Sequence, residues 1–145
     1  MAKKRIAVLG CTGSVGRSAL RIIQDRTDRF QVVALAARSS AAELAAAAAR
    51  FRPAAVSLVE PGTRPPELPA GTEFFGGEGG LLTCLDRAEP DLVLNGITGA
   101  AGLPASEWTL RHGRTLALAW RRGSARRGSL VRIAATMRAA LTSTF

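Results

Sequence analysis

The sequence is poor in the residues that build disulfide frameworks and metal sites. It contains two cysteines, Cys11 and Cys84, and one histidine, His112. Neither cysteine has a second cysteine or a histidine at ligand spacing, so we expect no metal site and ordinary reduced side chains. Cys11 leaves one alternative open, an exposed thiol in a glycine turn, although no base that would activate it is visible.

Long apolar runs are also missing. None approaches the roughly 20 residues needed to span a bilayer, and the apolar residues 6–9, which follow a basic start, are too few for the core of a signal peptide. The 145 residues suit one domain with a core of its own. We therefore expect a cytoplasmic protein with no membrane partner.

Acidic residues are absent from the last quarter of the chain. Residues 108–145 hold eight arginines and no Asp or Glu, whereas residues 1–107 hold 12 Lys or Arg and 11 Asp or Glu. Nearly all of the net charge of +9 therefore lies in this last quarter. The charge allows one alternative function, a small basic module that binds an acidic partner or nucleic acid. Nucleic acid is the less favoured partner, because the Arg-rich stretch from residue 120 has no known binding motif.

What the sequence does contain is a glycine turn between a strand and a helix. Residues 6–9 predict a buried strand, Gly10, Gly13 and Gly16 follow at a spacing of three, and residues 17–23 have helical periodicity. Such a turn lets backbone N–H groups and a helix N-terminus face a phosphate. Gly10 would permit the tight exit from the strand, Gly13 would make room for a pyrophosphate, and Gly16 would let the helix pack against the sheet. A purely structural turn is the alternative.

Strands and helices alternate along the chain. The patterns predict strands at residues 6–9, 30–36, 54–59, 72–75, 91–95 and 115–119, and helices at 14–25, 41–51, 79–87 and 104–112. Short connections between them indicate right-handed βαβ units, so we predict an α/β, Rossmann-like, doubly wound parallel sheet in three layers.

Three further local features are predicted at the ends of helices and in the tail. Ser14 is expected to cap the first helix, and Ser40 with Glu43 is expected to form a capping box on the second. An apolar stripe over residues 129–141 predicts one helix in the tail.

The end of the second predicted strand indicates which ligand the fold would take. In dinucleotide folds an acidic residue there binds the 2′-hydroxyl of NAD, whereas an arginine accommodates the 2′-phosphate of NADP. This chain has Ala37, Arg38 and Ser39 and no acid, which favours NADP(H) over a surface arginine beside a helix cap. A second turn of small residues, 95–102, follows the strand at 91–95 and leaves room for a nicotinamide, although a plain strand-to-helix turn explains it equally well.

Three stretches together resemble the N-terminal NADPH-binding domain of the 1-deoxy-D-xylulose 5-phosphate reductoisomerase family, namely residues 9–16, 32–38 and 95–103. The resemblance implies an oxidoreductase that uses NADPH and Mg²⁺ or Mn²⁺ to convert 1-deoxy-D-xylulose 5-phosphate into 2-C-methyl-D-erythritol 4-phosphate for isoprenoid biosynthesis. Carried over by position, the resemblance implies that Thr12, Gly13, Ser14 and Val15 contact the cofactor phosphates and that Ala37, Arg38 and Ser39 lie at its adenosine end. Together with Gly10 and Gly16 of the glycine turn, these are the predicted cofactor-binding residues.

The resemblance ends at Ala119. The family continues with Asn-Lys-Glu-Ser, which serves cofactor and substrate, whereas this chain has Trp120-Arg121-Arg122-Gly123. We therefore divide the chain into an NADPH-binding domain at 1–119 and a basic, off-pattern tail at 120–145, from a shifted reading frame or a truncated gene.

This division bears on activity and partners. We expect the chain to lack the catalytic domain and to bind NADPH weakly without turnover. A sugar phosphate substrate and a family-type homodimer are expected only of a full-length enzyme. A piece of another NADP-dependent dehydrogenase is a further alternative.

Overall fold

The computed structural model describes residues 2–60, 65, 67–119 and 133–137. These residues form one sheet with helices on both of its faces. Its strands are β1 (Lys4–Leu9), β2 (Phe30–Ala37), β3 (Ala55–Leu58), β4 (Glu73–Gly76), β5 (Leu92–Asn95), β6 (Thr115–Ala119) and β7 (Ile133–Met137). The helices are α1 (Ser14–Gln24), α2 (Ala41–Phe51), α3 (Gly80–Ala88) and α4 (Leu103–Arg111), with a 3₁₀ turn at Ala100–Gly102 before α4.

The strand order places a topological switch at the centre of the sheet. The order is β4-β3-β2-β1-β5-β6-β7, with β1 to β6 parallel and β7 antiparallel to β6. The chain moves outward from β1 to β4 and then returns to the other side of β1 with β5. Ligands of such sheets bind outside the carboxyl ends of the strands at this switch. The predicted doubly wound, Rossmann-like fold is confirmed.

The core lies on both faces of the sheet, as expected when parallel strands are covered by helices. Along β1, Ile6 and Val8 belong to the cluster that contains residues of α1 and α2, whereas Ala7 and Leu9 belong to the cluster beneath α3 and α4. Burial on both faces explains why β1 is a continuous apolar run and not an alternating one.

Of the predicted helix caps, the N-cap position of Ser40 is confirmed, whereas the cap at Ser14 and the capping box are wrong. The N-cap of α1 is Gly13, and Ser14 is the first helical residue. Ser40 is the N-cap of α2, but its side chain makes no capping hydrogen bond. Glu43 does not close a capping box, because both of its carboxylate oxygens accept hydrogen bonds from Nη2 of Arg17, each at 2.7 Å. A charge-assisted bond to a guanidinium is stronger than a bond to a neutral backbone amide.

The predicted tail helix over residues 129–141 is wrong in its described part. Residues 133–137 form β7, which places Ile133 opposite Ala119 and Ala134 opposite Leu118. Without β7, β6 would present a row of unpaired backbone N–H and C=O groups at the sheet edge, and an added strand pairs them. The rest of that predicted helix lies outside the described residues. Among the described helices none is long and apolar enough to cross a membrane.

Candidate dinucleotide-binding site

A cleft of about 720 Å³ opens at the carboxyl ends of the central strands, at the topological switch. This volume lies within the range of small-molecule sites. Its lining includes five of the predicted cofactor-binding residues: Gly10, Thr12, Gly13, Ala37 and Arg38. The structure therefore brings the glycine turn and the end of β2 together at one surface. The other four predicted residues are not part of the lining: Ser14, Val15, Gly16 and Ser39.

Gly10 joins the two turns that follow β1 and β5. Its φ of +72° lies in the left-handed region, where glycine is favoured. A Cβ at this position would lie only 2.9 Å from the carbonyl carbon and oxygen of Gly96. The amide of Gly96 in turn donates to the carbonyl oxygen of Leu9 at 2.9 Å. Gly10 thus permits the predicted strand exit and also the close contact of two turns, which the sequence did not reveal.

Gly16 and Gly13 differ in what surrounds them. A Cβ on Gly16 would overlap the carbonyl oxygen of Gly10 and lie 2.6 Å from Cα of Cys11. Gly16 therefore packs against the turn itself and not, as predicted, against the sheet. A Cβ on Gly13 would have only the Gly10 carbonyl oxygen within 4 Å, at an ordinary 3.4 Å. The packing of the described chain does not require glycine at position 13.

The start of α1 presents backbone N–H groups without acceptors. Gly13 donates to the carbonyl oxygen of Gly10, and Arg17 donates to that of Gly13, both at 3.0 Å. In the described part of the chain, the amides of Thr12, Ser14 and Val15 have no such acceptor. The first amides of a helix lack intrahelical partners, and the helix dipole adds positive potential there. Ser14 and Val15 can thus contribute to an anion site through their backbone alone.

Arg38 follows β2, whereas the second turn at residues 95–102 follows β5 on the other side of β1, and both contribute to the lining of the cleft. Its side chain is exposed, and no described carboxylate lies within 4.0 Å of it. The backbone beneath it is fixed, because the amide of Glu60 donates to the Arg38 carbonyl at 2.9 Å and that of Val59 donates to the Ala37 carbonyl at 3.1 Å. The guanidinium is therefore a cation on a rigid base at the rim of the cleft.

The buried side chain of Asn95 holds the second turn, residues 95–102, through hydrogen bonds. It is 3% exposed, and its Nδ2 donates to the Gly102 carbonyl at 2.8 Å and to Oγ of Ser106 at 2.9 Å. Its Oδ1 accepts from the amide of Ile97 at 3.1 Å. Sequence reasoning named this turn only for its small residues and missed the role of Asn95. The available signal was a polar residue at the end of an otherwise apolar strand.

The comparison with protein families decides which kind of dinucleotide fold this is. The family model described as 1-deoxy-D-xylulose 5-phosphate reductoisomerase matches residues 6–122. This chain belongs to that reductoisomerase family. The resemblance predicted from the sequence is therefore confirmed, and the alternative of a different NADP-dependent dehydrogenase is not supported.

Relatives that carry the reductoisomerase name are considerably longer. The one from Leifsonia xyli subsp. xyli is 42% identical over 135 residues, which cover 93% of this chain and 32% of the relative. The one from Anaeromyxobacter sp. (strain K) is 37% identical over 119 residues, 80% of this chain and 30% of the relative. The chain thus spans about a third of the length of these curated relatives. The alignment with the Leifsonia relative covers 93% of this chain and therefore extends past Ala119. The domain boundary expected at that residue stays a prediction.

Solved reductoisomerase structures share the fold. The enzyme from Zymomonas mobilis in complex with NADPH superposes with a TM-score of 0.71 at 31% identity, covering 81% of this chain and 32% of that one. A reductoisomerase structure with NADPH, fosmidomycin and magnesium gives a TM-score of 0.67 at 28% identity, covering 78% and 29%.

Both cysteines of this reductoisomerase-family chain are buried, and its histidine packs against an aromatic side chain. Cys11 is 2% exposed, and burial raises its pKa to about 12, so the alternative of an exposed thiol is wrong. Burial likewise raises the pKa of Cys84 to about 12. The ring of His112 stacks on Trp108 at 4.1 Å. The described residues hold no group of three His, Cys, Asp or Glu side chains that could hold a metal ion.

Proposed function

We propose that this chain supplies the NADPH-binding part of a reductoisomerase that converts 1-deoxy-D-xylulose 5-phosphate into 2-C-methyl-D-erythritol 4-phosphate. The observation that supports this most directly is a single cleft lined both by the glycine turn and by Arg38. Bound NADPH supplies a hydride, and the residues described here bind and orient it. The match to reductoisomerases, which include an NADPH complex, supports the choice of cofactor.

The pyrophosphate is proposed to lie against the start of α1. The acceptor-free amides of Thr12, Ser14 and Val15 offer hydrogen bonds to its oxygens, and the helix dipole favours its negative charge. Gly13 is exposed and leaves room for close approach of the pyrophosphate. Gly10 and Gly16 act by shaping the turn, since neither position has space for a Cβ.

The 2′-phosphate is proposed to lie at Arg38. A guanidinium can hold two phosphate oxygens at once, and a pair of this kind is stronger than a bond between neutral groups. Ala37 forms the adjoining wall of the cleft, and the exposed Ser39 offers a hydroxyl beside it. This arrangement leaves the nicotinamide for the other end of the cleft, at the turn held by Asn95.

The remaining functions are proposed for a full-length enzyme. No group of three metal-ligating side chains lies within the described residues, and we propose that the rest of such an enzyme holds the metal and the sugar phosphate. We propose that the 145 residues alone bind NADPH without turnover. The cytoplasmic location stays a prediction, and no described contact supports the alternative of a basic binding module.

The cofactor assignment is tested by reversing the charge at position 38. In titrations of the purified chain, Arg38→Asp should weaken NADPH binding about tenfold or more, the factor for one lost charge-assisted contact, and NADH binding less than threefold. Arg26→Asp is the matched control, because Arg26 is also exposed but precedes β2 at the opposite end of the sheet. Equal loss for both cofactors, or no binding of NADPH to the unaltered chain, would contradict the assignment.

The absence of turnover is tested separately. The purified chain is mixed with NADPH, Mg²⁺ and 1-deoxy-D-xylulose 5-phosphate, and absorbance at the wavelength of reduced nicotinamide is followed. We expect no oxidation of NADPH above a protein-free control. Measurable conversion would refute the proposed inactivity and leave the binding site as proposed.

A further inference from the structure

The cleft continues beyond Arg38 toward the outer strands and ends at an acidic residue. Glu78 follows β4 and lines the same cleft as Arg38. The lining also includes three apolar residues from the same part of the fold, Val59 after β3 and Leu81 and Leu82 at the start of α3. Glu78 is exposed, and no hydrogen bond or ion pair to its carboxylate is found among the described residues.

The sheet determines the order of these groups. Strands β2, β3 and β4 are parallel neighbours, so Arg38, Val59 and the loop that carries Glu78 follow three adjacent strand ends. At about 4.8 Å between strands, the ends of β2 and β4 are about 10 Å apart. The Arg38 cation, the apolar side chain of Val59 and the Glu78 carboxylate therefore follow one another across this end of the cleft.

The loop that carries Glu78 is held firmly. Gly77 has a φ of +82°, and its carbonyl oxygen accepts from the amide of Gly80 at 3.2 Å. A Cβ on Gly80 would lie 2.9 Å from the carbonyl carbon and oxygen of Phe75, so the start of α3 is pressed against β4. The backbone on both sides of Glu78 is thus held at the cleft.

We propose that Glu78 selects the base of the dinucleotide by accepting a hydrogen bond from the exocyclic amino group of adenine. This inference rests on the proposed function, which places the adenosine phosphate at Arg38. The apolar part of the lining suits the flat faces of a purine, and an ionised carboxylate has acceptors only. An amino group satisfies it, whereas the carbonyl oxygen of hypoxanthine at the same ring position would face it with a second acceptor. Sites built to pair a polar group reject the ligand that leaves this group unpaired.

The alternative is a structural role for Glu78, because a negative charge just before α3 favours the start of that helix. Such a role affects thermal stability and does not distinguish between bases. The experiment therefore compares NADPH with its hypoxanthine analogue, in which oxygen replaces the amino group of the base.

Binding of both ligands to the purified chain is measured alongside thermal denaturation. We expect the unaltered chain to bind NADPH about three- to tenfold more tightly than the analogue, the factor for one partly exposed hydrogen bond. In Glu78→Gln the preference should fall within twofold, because an amide can accept from the amino group or donate to the carbonyl. Glu60→Gln is the matched control, an exposed acid at the same sheet edge outside the cleft lining, and it should keep the full preference.

The outcomes separate this inference from the proposed function. If Glu78→Gln retains the preference of the unaltered chain, the base-selecting role is overturned while NADPH binding stands. A lower melting temperature with unchanged preference also overturns it and assigns Glu78 to the start of α3. If the unaltered chain does not bind NADPH, the proposed function and the inference fail together.

Discussion

The contrast between Gly13 and Gly16 gives a sharp test of which glycines serve a ligand and which serve the fold. Alanine at position 16 would place a methyl group against backbone atoms of Gly10 and Cys11. Alanine at position 13 would meet only one protein atom, at 3.4 Å, from a backbone with φ of −77° that any residue adopts. The same chemical change, three residues apart, is therefore expected to lower stability at position 16 and to leave it nearly unchanged at position 13.

The expected magnitudes follow from these contacts. Overpacking costs about 1–3 kcal/mol, and more where the obstacle is backbone that cannot rotate away, while alanine gains about 1 kcal/mol in helix propensity. Gly16→Ala should therefore lose about 2 kcal/mol, or about 8 °C in melting temperature for a domain of this size. In Gly13→Ala the entropy lost by the unfolded chain, about 0.4–1 kcal/mol, offsets the poorer cap, so its melting temperature should change by less than about 2 °C.

The assay combines thermal denaturation with NADPH titration of the unaltered chain and both variants. A methyl group at Gly13 would occupy the space proposed for the pyrophosphate, so we expect affinity to fall at least about tenfold, corresponding to about 1.4 kcal/mol of steric cost. Gly13→Ala with full affinity would refute close approach of the pyrophosphate at that residue. Gly16→Ala with unchanged stability would refute the inferred packing of the turn.

Two further predictions concern the core of the site. Asn95→Asp replaces the two donated hydrogen bonds of Nδ2 by an acceptor that faces the Gly102 carbonyl, so thermal melts at pH 7 should show a loss of about 2–4 kcal/mol; stability equal to that of the unaltered chain would show that the turn does not depend on this side chain. Because burial raises the pKa of Cys11 and Cys84 from 9.0 to about 12, both thiols should react slowly with a disulfide reagent at pH 8 and quickly after denaturation. Above pH 9 the two thiols ionise in the unfolded chain but stay protonated in the folded chain. Their contribution to the free energy of unfolding is therefore fully present below pH 9 and should fall as the pH rises toward 11. Replacing both cysteines by alanine should flatten this decline, and an equally steep decline would assign it to other groups.

The fold could be predicted because its determinants are local in sequence. Strands buried on both faces, such as β1 with Ile6 to Leu9, are continuous apolar runs, and the glycine turn with the following periodicity indicates a strand and a helix. The family could be predicted because three short stretches with a recognisable pattern all lie within residues 6–122, the range that the family model matches.

What could not be predicted depends on contacts that form only once the chain has folded. Arg17 takes both oxygens of Glu43, 26 residues away, and thereby prevents the capping box. Asn95 holds its turn through Gly102 and Ser106, which only the fold brings together with it. The strand at 133–137 forms because β6 offers an edge to pair with, whereas the periodicity of the same residues also fits a helix.

The contact between Gly10 and Gly96 has a consequence for a ligand that consists of two linked nucleotides. Because these turns end neighbouring strands and touch through their backbones, the spacing of the two half-sites cannot change without breaking the hydrogen bond from Gly96 to Leu9. If the cleft binds a dinucleotide as proposed, it holds the two nucleotides at a fixed separation. Once one nucleotide is seated, a fixed span of matching length gives the other a high effective concentration, so the linked ligand gains affinity without any additional contact.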